Sequence, residues 1–566
     1  VITADARLDN RQDLCAQLDI PGDVSSSIPD SQLILAAYRR WGPHCPTHLL
    51  GDFAFAIWDT RQRALFCARD PLGIRPFHFF QSSQLFIFAS DIRGVMAHAA
   101  PPRSFNDPGI ALYLTVGHLC HQEWTFRAAV NKLAPGHSML VRQSGEVARR
   151  RYWSPEQAPS VRFKTTDGYA EALRALLQEA VHARLRTSFP IGAHLSGGLD
   201  SSSVAVLASR ALQGQGRTLP TFTWTPPPSS PEDLREPEWA NLRTVCAAAQ
   251  LSTEHVDPTA NFLARMFLQD VGLHHEGGPL YEPLVRQAAA RHGVRLILSG
   301  WGGDELISFH GRVYLADLLW RGHWWRVARG LAEQMSGVAT WGERLRVAYR
   351  SLLLPSLPPQ VAARMGKRPA AIDYTIALSA AFAAYVKQQA DSRRTPWSVR
   401  PSVRAAQIAL LDNGHLALRI EQCATAGADD HMVYAYPLLD RRVVEFALGV
   451  PPHLYVQEKY GRYLFRRTLR GILPDAVRWS HVKYEPRRVE RLIDLTQAAV
   501  DQVRQGLGPL GLLGVPNAYI DVPRLMGLRP PAGGDWMARL PYCAAMHRSL
   551  QLLALGQGWA WHSVPL

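Results

Sequence analysis

The chain has 566 residues and a mass of 63.0 kDa, too long for one ordinary hydrophobic core, so it calls for two domains rather than a single binding module. Its 47% apolar and 19% charged residues exclude extended disorder, and no apolar run approaches the ~20 residues of a membrane span. Lys plus Arg is 62 against 48 for Asp plus Glu; the net charge of +14 suits an anionic ligand, but the arginines fall in scattered groups (Arg149 to Arg151, Arg466 with Arg467, Arg487 with Arg488) and equally describe a solvated basic surface.

In chain order, residues 51–59, 64–70 and 85–90 are short apolar runs separated by polar, Gly or Pro turns, which predicts a sheet layer. Pro135-Gly136, then Met139-Leu140-Val141 and a turn at Gly145, add a hairpin. The pattern changes after Tyr152-Trp153-Ser154-Pro155. From Asp167 helical spacing takes over (Tyr169, Leu173, Leu176, Leu177, Val181), followed by short buried strands alternating with helices, the signature of a parallel sheet. Beyond about Arg312 the pattern is nearly all helical, and the Ala-rich stretch 375–386 reads as a buried helix. The expected fold class is α/β: an α+β sandwich over 1–155, then a parallel-sheet domain with a large helical part over 166–566. Seven cysteines without a Cys-x-x-Cys pair indicate neither a disulfide framework nor a zinc cluster, and fit a cytoplasmic setting. The chain opens Val1-Ile2-Thr3 without an initiator Met or a signal-like apolar segment, so the first layer is expected to begin upstream.

The chemistry concentrates in two loops. Pro190-Ile191-Gly192-Ala193-His194-Leu195 runs into Ser196-Gly197-Gly198-Leu199-Asp200-Ser201-Ser202 and an apolar helix, the strand, Gly-rich turn and helix start that bind phosphate. Gly197 and Gly198 let backbone amides approach oxygen; Ser196, Ser201 and Ser202 add hydroxyls, and Asp200 can hold a divalent cation. A second strand, Arg295-Leu296-Ile297-Leu298, enters Ser299-Gly300-Trp301-Gly302-Gly303-Asp304-Glu305. Two acids at the ends of buried parallel strands would lie beside the crevice where such sheets bind ligands.

These loops resemble those of N-type ATP pyrophosphatases, and their neighbours resemble the asparagine-synthetase-like enzymes over nearly the whole chain. The strand 219–224, Glu236-Pro237-Glu238-Trp239-Ala240, Pro437-Leu438-Leu439-Asp440 and Leu473-Pro474 follow the family's order. The resemblance implies ATP and Mg2+ as cofactors, Gly300 and Gly302 beside the nucleotide, Asp200 and Asp304 sharing the metal, and Lys483 at the α-phosphate and the forming acyl-adenylate. It makes Lys483, Asp200 and Asp304 the catalytic set; Glu236, Asp430 and His431 are further acid-base or substrate candidates.

Gly51-Asp52-Phe53-Ala54-Phe55 and Arg69-Asp70-Pro71-Leu72-Gly73 resemble the family's glutamine amidotransferase domain, of the Ntn-hydrolase type. The N-terminal Cys nucleophile of such a domain is not among these residues and could lie upstream. But Asp5-Ala6-Arg7 stands where glutaminases read Asn-Gly-Glu, an Ala where close backbone approach was needed and a cation for an anion, so this domain is expected to be inactive. Amide-forming cyclases of the superfamily use a substrate amine instead. β-Lactam synthetases and asparagine synthetases carry other residues where this chain has Trp301 and Val433, while the Ser-Gly-Trp-Gly-Gly-Asp-Glu loop and the Trp/Arg-rich segment 319–326 look more like lasso-peptide cyclases. That resemblance implies a precursor core peptide as substrate, with a leader-binding protein and a leader protease as partners. A glutamine-hydrolysing asparagine synthetase and a small-molecule cyclase of the β-lactam synthetase type are the alternatives. A nucleic-acid partner would bring thiolation-type cysteines or an RNA module, and neither is found.

Overall fold

A computed structural model describes residues 1–21, 27–116, 121–228, 230–267, 281–311, 313–336, 338–357, 377–392, 401–457, 460–480, 486–507, 518–529 and 536–557. The first unit runs β1 (Ile2–Leu8), α1 (Arg11–Gln17), α2 (Asp30–Trp41), β2 (Gly51–Asp59), β3 (Ala64–Arg69), β4 (His78–Gln81), β5 (Phe86–Ala89), α3 (Ile92–Met96), β6 (Val130–Lys132), β7 (His137–Arg142) and β8 (Val147–Arg151). It forms two antiparallel sheets, β1-β2-β3-β7-β8 and β5-β4-β6. Strand β2 explains the stacking. Its Phe53, Phe55 and Ile57 pack with Leu14, Leu33 and Ile34 of the helices, while Ala54 and Ala56, on the other face, pack with Phe77, Phe79 and Met139 between the sheets. The side-chain period of two thus sets large residues under helices and small ones between sheets. Helix α3 covers the outer face of the second sheet through Ile92, Val95 and Met96, which completes four layers.

The second unit contains α4 (Thr166–Arg184), β9 (Ile191–His194), α5 (Leu199–Gln213), β10 (Thr221–Thr223), α6 (Pro237–Ala249), β11 (Thr253–His255), α7 (Glu282–Arg291), β12 (Leu296–Leu298), α8 (His415–Asp429), β13 (Val433–Ala435), α9 (Arg441–Gly449) and α10 (Tyr463–Thr468). The sheet order is β11-β10-β9-β12-β13, and every neighbouring pair is parallel. Strands β9 and β12 are buried along their whole length, as expected of strands covered by helices on both faces. From β9 the chain winds outward through β10 to β11, then returns to β12 on the other side of β9. The topological switch point therefore lies between β9 and β12, the two strands that carry the glycine-rich loops.

A separate helical core joins Ala260–Phe267, Ala380–Ser392, Pro486–Leu507 and Trp536–Gln557 to Asp107–Val116 of the first unit, around Tyr113, Phe267, Phe382, Val503 and Leu550. The Ala-rich helix is amphipathic rather than buried. Phe382 and Val386 face this core, whereas Ala380, Ala381 and Ala384 are exposed.

Buried ions tie the two units together. Glu421 receives Arg69 Nη2 at 2.6 Å and Lys132 Nζ at 2.9 Å. Arg184 lies 2.9 Å from Asp440 and 3.6 Å from both Asp9 and Asp52. The six described cysteines are free thiols, and among the described residues no helix is long and apolar enough to cross a membrane.

Candidate active site

Strand β9 delivers Ser196 to the sheet's C-terminal edge, where the chain turns through Gly197 with φ of +73°. A Cβ there would stand 2.7 Å from the Leu242 amide nitrogen, so only glycine lets the turn rest on α6. Ser201 ties the turn back: its Oγ accepts from the Ser196 amide at 3.1 Å and lies 2.8 Å from the Ser196 hydroxyl. Gly198 caps α5 without a side-chain hydrogen bond, which leaves first-turn amides for an anion.

The second loop closes on this turn. A Cβ on Gly300 would lie 2.4 Å from the Ser201 nitrogen, and one on Gly303 would lie 2.5 Å from Asp200 Oδ1. Gly302, at φ of +93°, is filled in by Leu439. The missing side chains bring Asp200 and Asp304 to one guanidinium. Arg462, which opens α10 from a left-handed conformation, reaches Asp304 Oδ1 at 2.5 Å and Asp200 Oδ2 at 3.9 Å, and touches His310 Nε2 at 2.7 Å. Two carboxylates converging on one cation are a donor set that fits Mg2+ shared with phosphates. Among the described residues no cluster of three or more His, Cys, Asp or Glu forms, so phosphate oxygens and water would complete such a site. Arg466 adds to the basic wall, with burial and the neighbouring Arg462 lowering its guanidinium to about 10.

Behind the loops lies a polar group that the sequence motifs did not announce. His194, the last residue of β9, places Nδ1 3.2 Å from Ser299 Oγ and Nε2 3.1 Å from Glu282 Oε1. The Tyr434 hydroxyl donates to the same carboxylate at 2.5 Å. Burial pushes Glu282 up, but His194, Tyr434 and Arg286 outweigh it and hold the carboxyl at about 2. Burial, with the Glu282 charge, raises the Tyr434 phenol well above its ordinary value. Glu282 is thus an anion committed to structure, not a proton acceptor poised near neutrality.

The expected site residues separate into two sets. Ser196, Gly197, Gly198, Asp200, Ser201, Gly300, Gly302 and Asp304 lie on the two touching loops, and Glu236 opens α6, whose first turns carry the Gly197 contact. Ser202 differs from the expectation: it is fully buried, one position too far into α5 to present its hydroxyl to a ligand. His431 and Asp430 also differ. His431 is exposed and left-handed, Asp430 is paired with Arg286, and both precede β13, at the end of the sheet opposite the loops. Val433, the first residue of β13, sits at that same end. Lys483 lies outside the described residues.

Residues 172–493 match the asparagine synthase family, and residues 1–153 match the glutamine amidotransferase domain. The chain belongs to the asparagine synthase family. Asparagine synthetase [glutamine-hydrolyzing] 3 of Bacillus subtilis is 30% identical over 227 residues, 40% of this chain and 36% of the relative. Amidase chry2 of Gibberella zeae is 31% identical over 197 residues, 34% of this chain and 28% of the relative. Asparagine synthetase [glutamine-hydrolyzing] 1 of Bacillus subtilis is 24% identical over 492 residues, 83% and 72%. The chain thus spans about a third of the length of the first two.

In this asparagine synthase family member, the amidotransferase-like unit uses its recognisable motif for structure. Asp70 accepts the backbone amides of Leu72, Ile74 and Arg75, and Arg69 donates to the carbonyls of Gly73, Arg75 and Leu133 as well as to Glu421. Arg7 is likewise committed, 3.0 Å from Asp9 and 2.9 Å from Asp52.

Proposed function

We propose that this chain is an ATP-dependent, AMP-forming carbon–nitrogen ligase that adenylates an Asp or Glu side chain of a precursor peptide and closes a macrolactam with the peptide's N-terminal amine, as lasso-peptide cyclases do. The observation that carries the reading is the convergence of Asp200 and Asp304 at the switch point. Beside it, the amidotransferase-like unit commits Arg7 to ion pairs in the segment that would have to grip glutamine.

A substrate carboxylate oxygen attacks the α-phosphorus of ATP, and the bond to pyrophosphate breaks. The amides of the first loop and the hydroxyls of Ser196 and Ser201 hold the departing pyrophosphate, with Arg462 and Arg466 facing the developing charge. Asp200 and Asp304 would hold Mg2+, which when bound neutralises phosphate charge. Lys483 is assigned to the α-phosphate. The peptide's amine then attacks the acyl carbon; AMP leaves with the bridging oxygen, and the amine's proton passes to solvent. An α-amine with a pKa of about 7.7–8.0 is partly neutral near pH 7, so this step makes no demand for a strong base. Holding both ends of one peptide converts a bimolecular step into a unimolecular one. A leader-binding protein and a leader protease would deliver the trimmed peptide in a cytoplasmic setting.

The names of the relatives favour a second reading, glutamine-dependent asparagine synthesis. One experiment separates the two. With Mg-ATP and synthetic peptides that carry a free α-amine and a single Asp or Glu, mass spectrometry should find AMP, pyrophosphate and a peptide lighter by one water. With aspartate and glutamine, asparagine should not form. Asparagine formation without peptide cyclisation would replace this reading by the second.

A further inference from the structure

Over the C-terminal end of the central strand lies a cation that no described acid neutralises. Arg419, on α8, sets its guanidinium carbon 3.6 Å from the centre of the Trp301 ring and 5.8 Å from that of Trp224. Trp301 belongs to the second loop and Trp224 follows β10, so the two indoles come from the strands on either side of β9, and the guanidinium spans the gap between them. His194, at the end of β9, packs against Trp224 at 5.3 Å.

Arg419 is half-buried and, among the described residues, makes no ion pair and no hydrogen bond. The nearby acids are committed elsewhere: Glu282 to His194 and Tyr434, Asp430 to Arg286, and Asp200 and Asp304 to Arg462. His415, which meets the edge of Trp301, is kept neutral near pH 7, since burial and Arg419 both lower its pKa. A guanidinium stacked on an indole face is desolvated over its plane but keeps N–H donors at its edge. That fork matches a carboxylate with two parallel hydrogen bonds. Trp301 directly follows Gly300, the residue that touches the Asp200–Ser201 backbone, so the guanidinium stacked on Trp301 lies beside the two glycine-rich loops.

We propose that Arg419, held by Trp301 and Trp224, binds the carboxylate that is to be adenylated. The ligand class is a side-chain carboxylate presented on a peptide. The assignment rests on the adenylation reading above and adds the group that recognises the acid. It also gives Trp301 a purpose: an indole at that position supplies the platform that orients the arginine.

The test compares wild type, Arg419→Ala and Arg419→Lys by pyrophosphate release with Mg-ATP and synthetic peptides that carry a free α-amine and one Glu at successive positions. Losing a charge-assisted fork should raise the peptide KM of Arg419→Ala by at least about tenfold and leave the KM for ATP within about twofold. Arg419→Lys should recover part of the loss, and circular dichroism should show both variants folded. In wild type, calorimetry should find the Glu peptide binding more tightly than the same peptide with Gln, and Arg419→Ala should erase that preference. An unchanged peptide KM in Arg419→Ala, or a raised KM for ATP instead, would overturn the carboxylate site while the adenylation reading stands. Wild-type protein that releases no pyrophosphate with any carboxylate peptide would overturn the adenylation reading, and calorimetry would then judge Arg419 alone.

Discussion

Asp200 and Asp304 are 104 positions apart, yet each sits in a short, recognisable string beside glycines whose missing Cβ atoms let the loops touch. That is why both acids could be picked out from the two strand-and-loop strings and their resemblance to the family's loops. Arg462 was legible only as part of the run Arg462 to Arg467 that resembles the family's C-terminal helices, with no role of its own: it stands 158 residues from Asp304, and only the folded chain brings its guanidinium to the acids. The Glu282 contacts with His194 and Tyr434 were hidden in the same way, across 88 and 152 residues. Ser202 shows the converse, because a run of three serines reads alike in sequence while the helix turns the second of the two in its first turn into the core. At this scale, Asp304→Asn keeps the shape of the loop and removes one of the two charges proposed to hold the metal. It should lower pyrophosphate release by about a hundredfold, the size expected for losing one preorganised electrostatic contact, with melting temperature nearly unchanged. A melting temperature that fell in step with activity would make Asp304 structural instead.

At the scale of elements, the strand, turn and helix around 190–213 were readable because a buried parallel strand leaves an unbroken apolar run. Strand β1 was not expected from its sequence, although Ile2, Ala4, Ala6 and Leu8 alternate inward against Thr3, Asp5 and Arg7; the polar half of that alternation looked like a degraded binding motif. The Ala-rich helix misled through composition, since alanine is neutral to burial and only Phe382 and Val386 define an inward face. The packing of α5 against the second loop gives a sharp prediction. Gly300→Ala would force a methyl group against the backbone of Asp200 and Ser201, which cannot yield as a side-chain tip can. It should destabilise the protein by about 1–3 kcal/mol and displace the start of α5, reducing pyrophosphate release by more than the stability loss explains. Denaturant unfolding alongside the activity assay separates the two effects, and an active, stable variant would contradict the loop contact.

Across the whole molecule, the two units are joined by buried ions. Burial pushes Glu421 up, but Lys132, Arg69 and His78 hold it at about 2, below the unfolded value near 4.5. Its contribution to stability is therefore complete above about pH 4.5 and is lost as pH falls toward 2. Glu421→Gln, which leaves two buried cations without their anion, should cost about 3–5 kcal/mol at pH 7 and flatten the acid limb of the stability curve. Asp70 works in the opposite sense. Burial and Asp52 raise it to about 6, so its ionisation opposes folding as pH rises from about 4 through 6. Urea unfolding of wild type, Glu421→Gln and Asp70→Asn from about pH 2 to about pH 7 checks the signs. The division into an antiparallel first part and a parallel second part was readable from periodicity, whereas the ion clusters joining them were not, since Glu421 lies 352 residues from Arg69. The proposed function passes through an acyl-adenylate, and isotope transfer tests that most directly. A peptide with heavy oxygen in its single side-chain carboxylate should, during ATP-dependent ring closure, pass one heavy oxygen to AMP and none to pyrophosphate. Unlabelled AMP, or ADP and phosphate as products, would contradict the account.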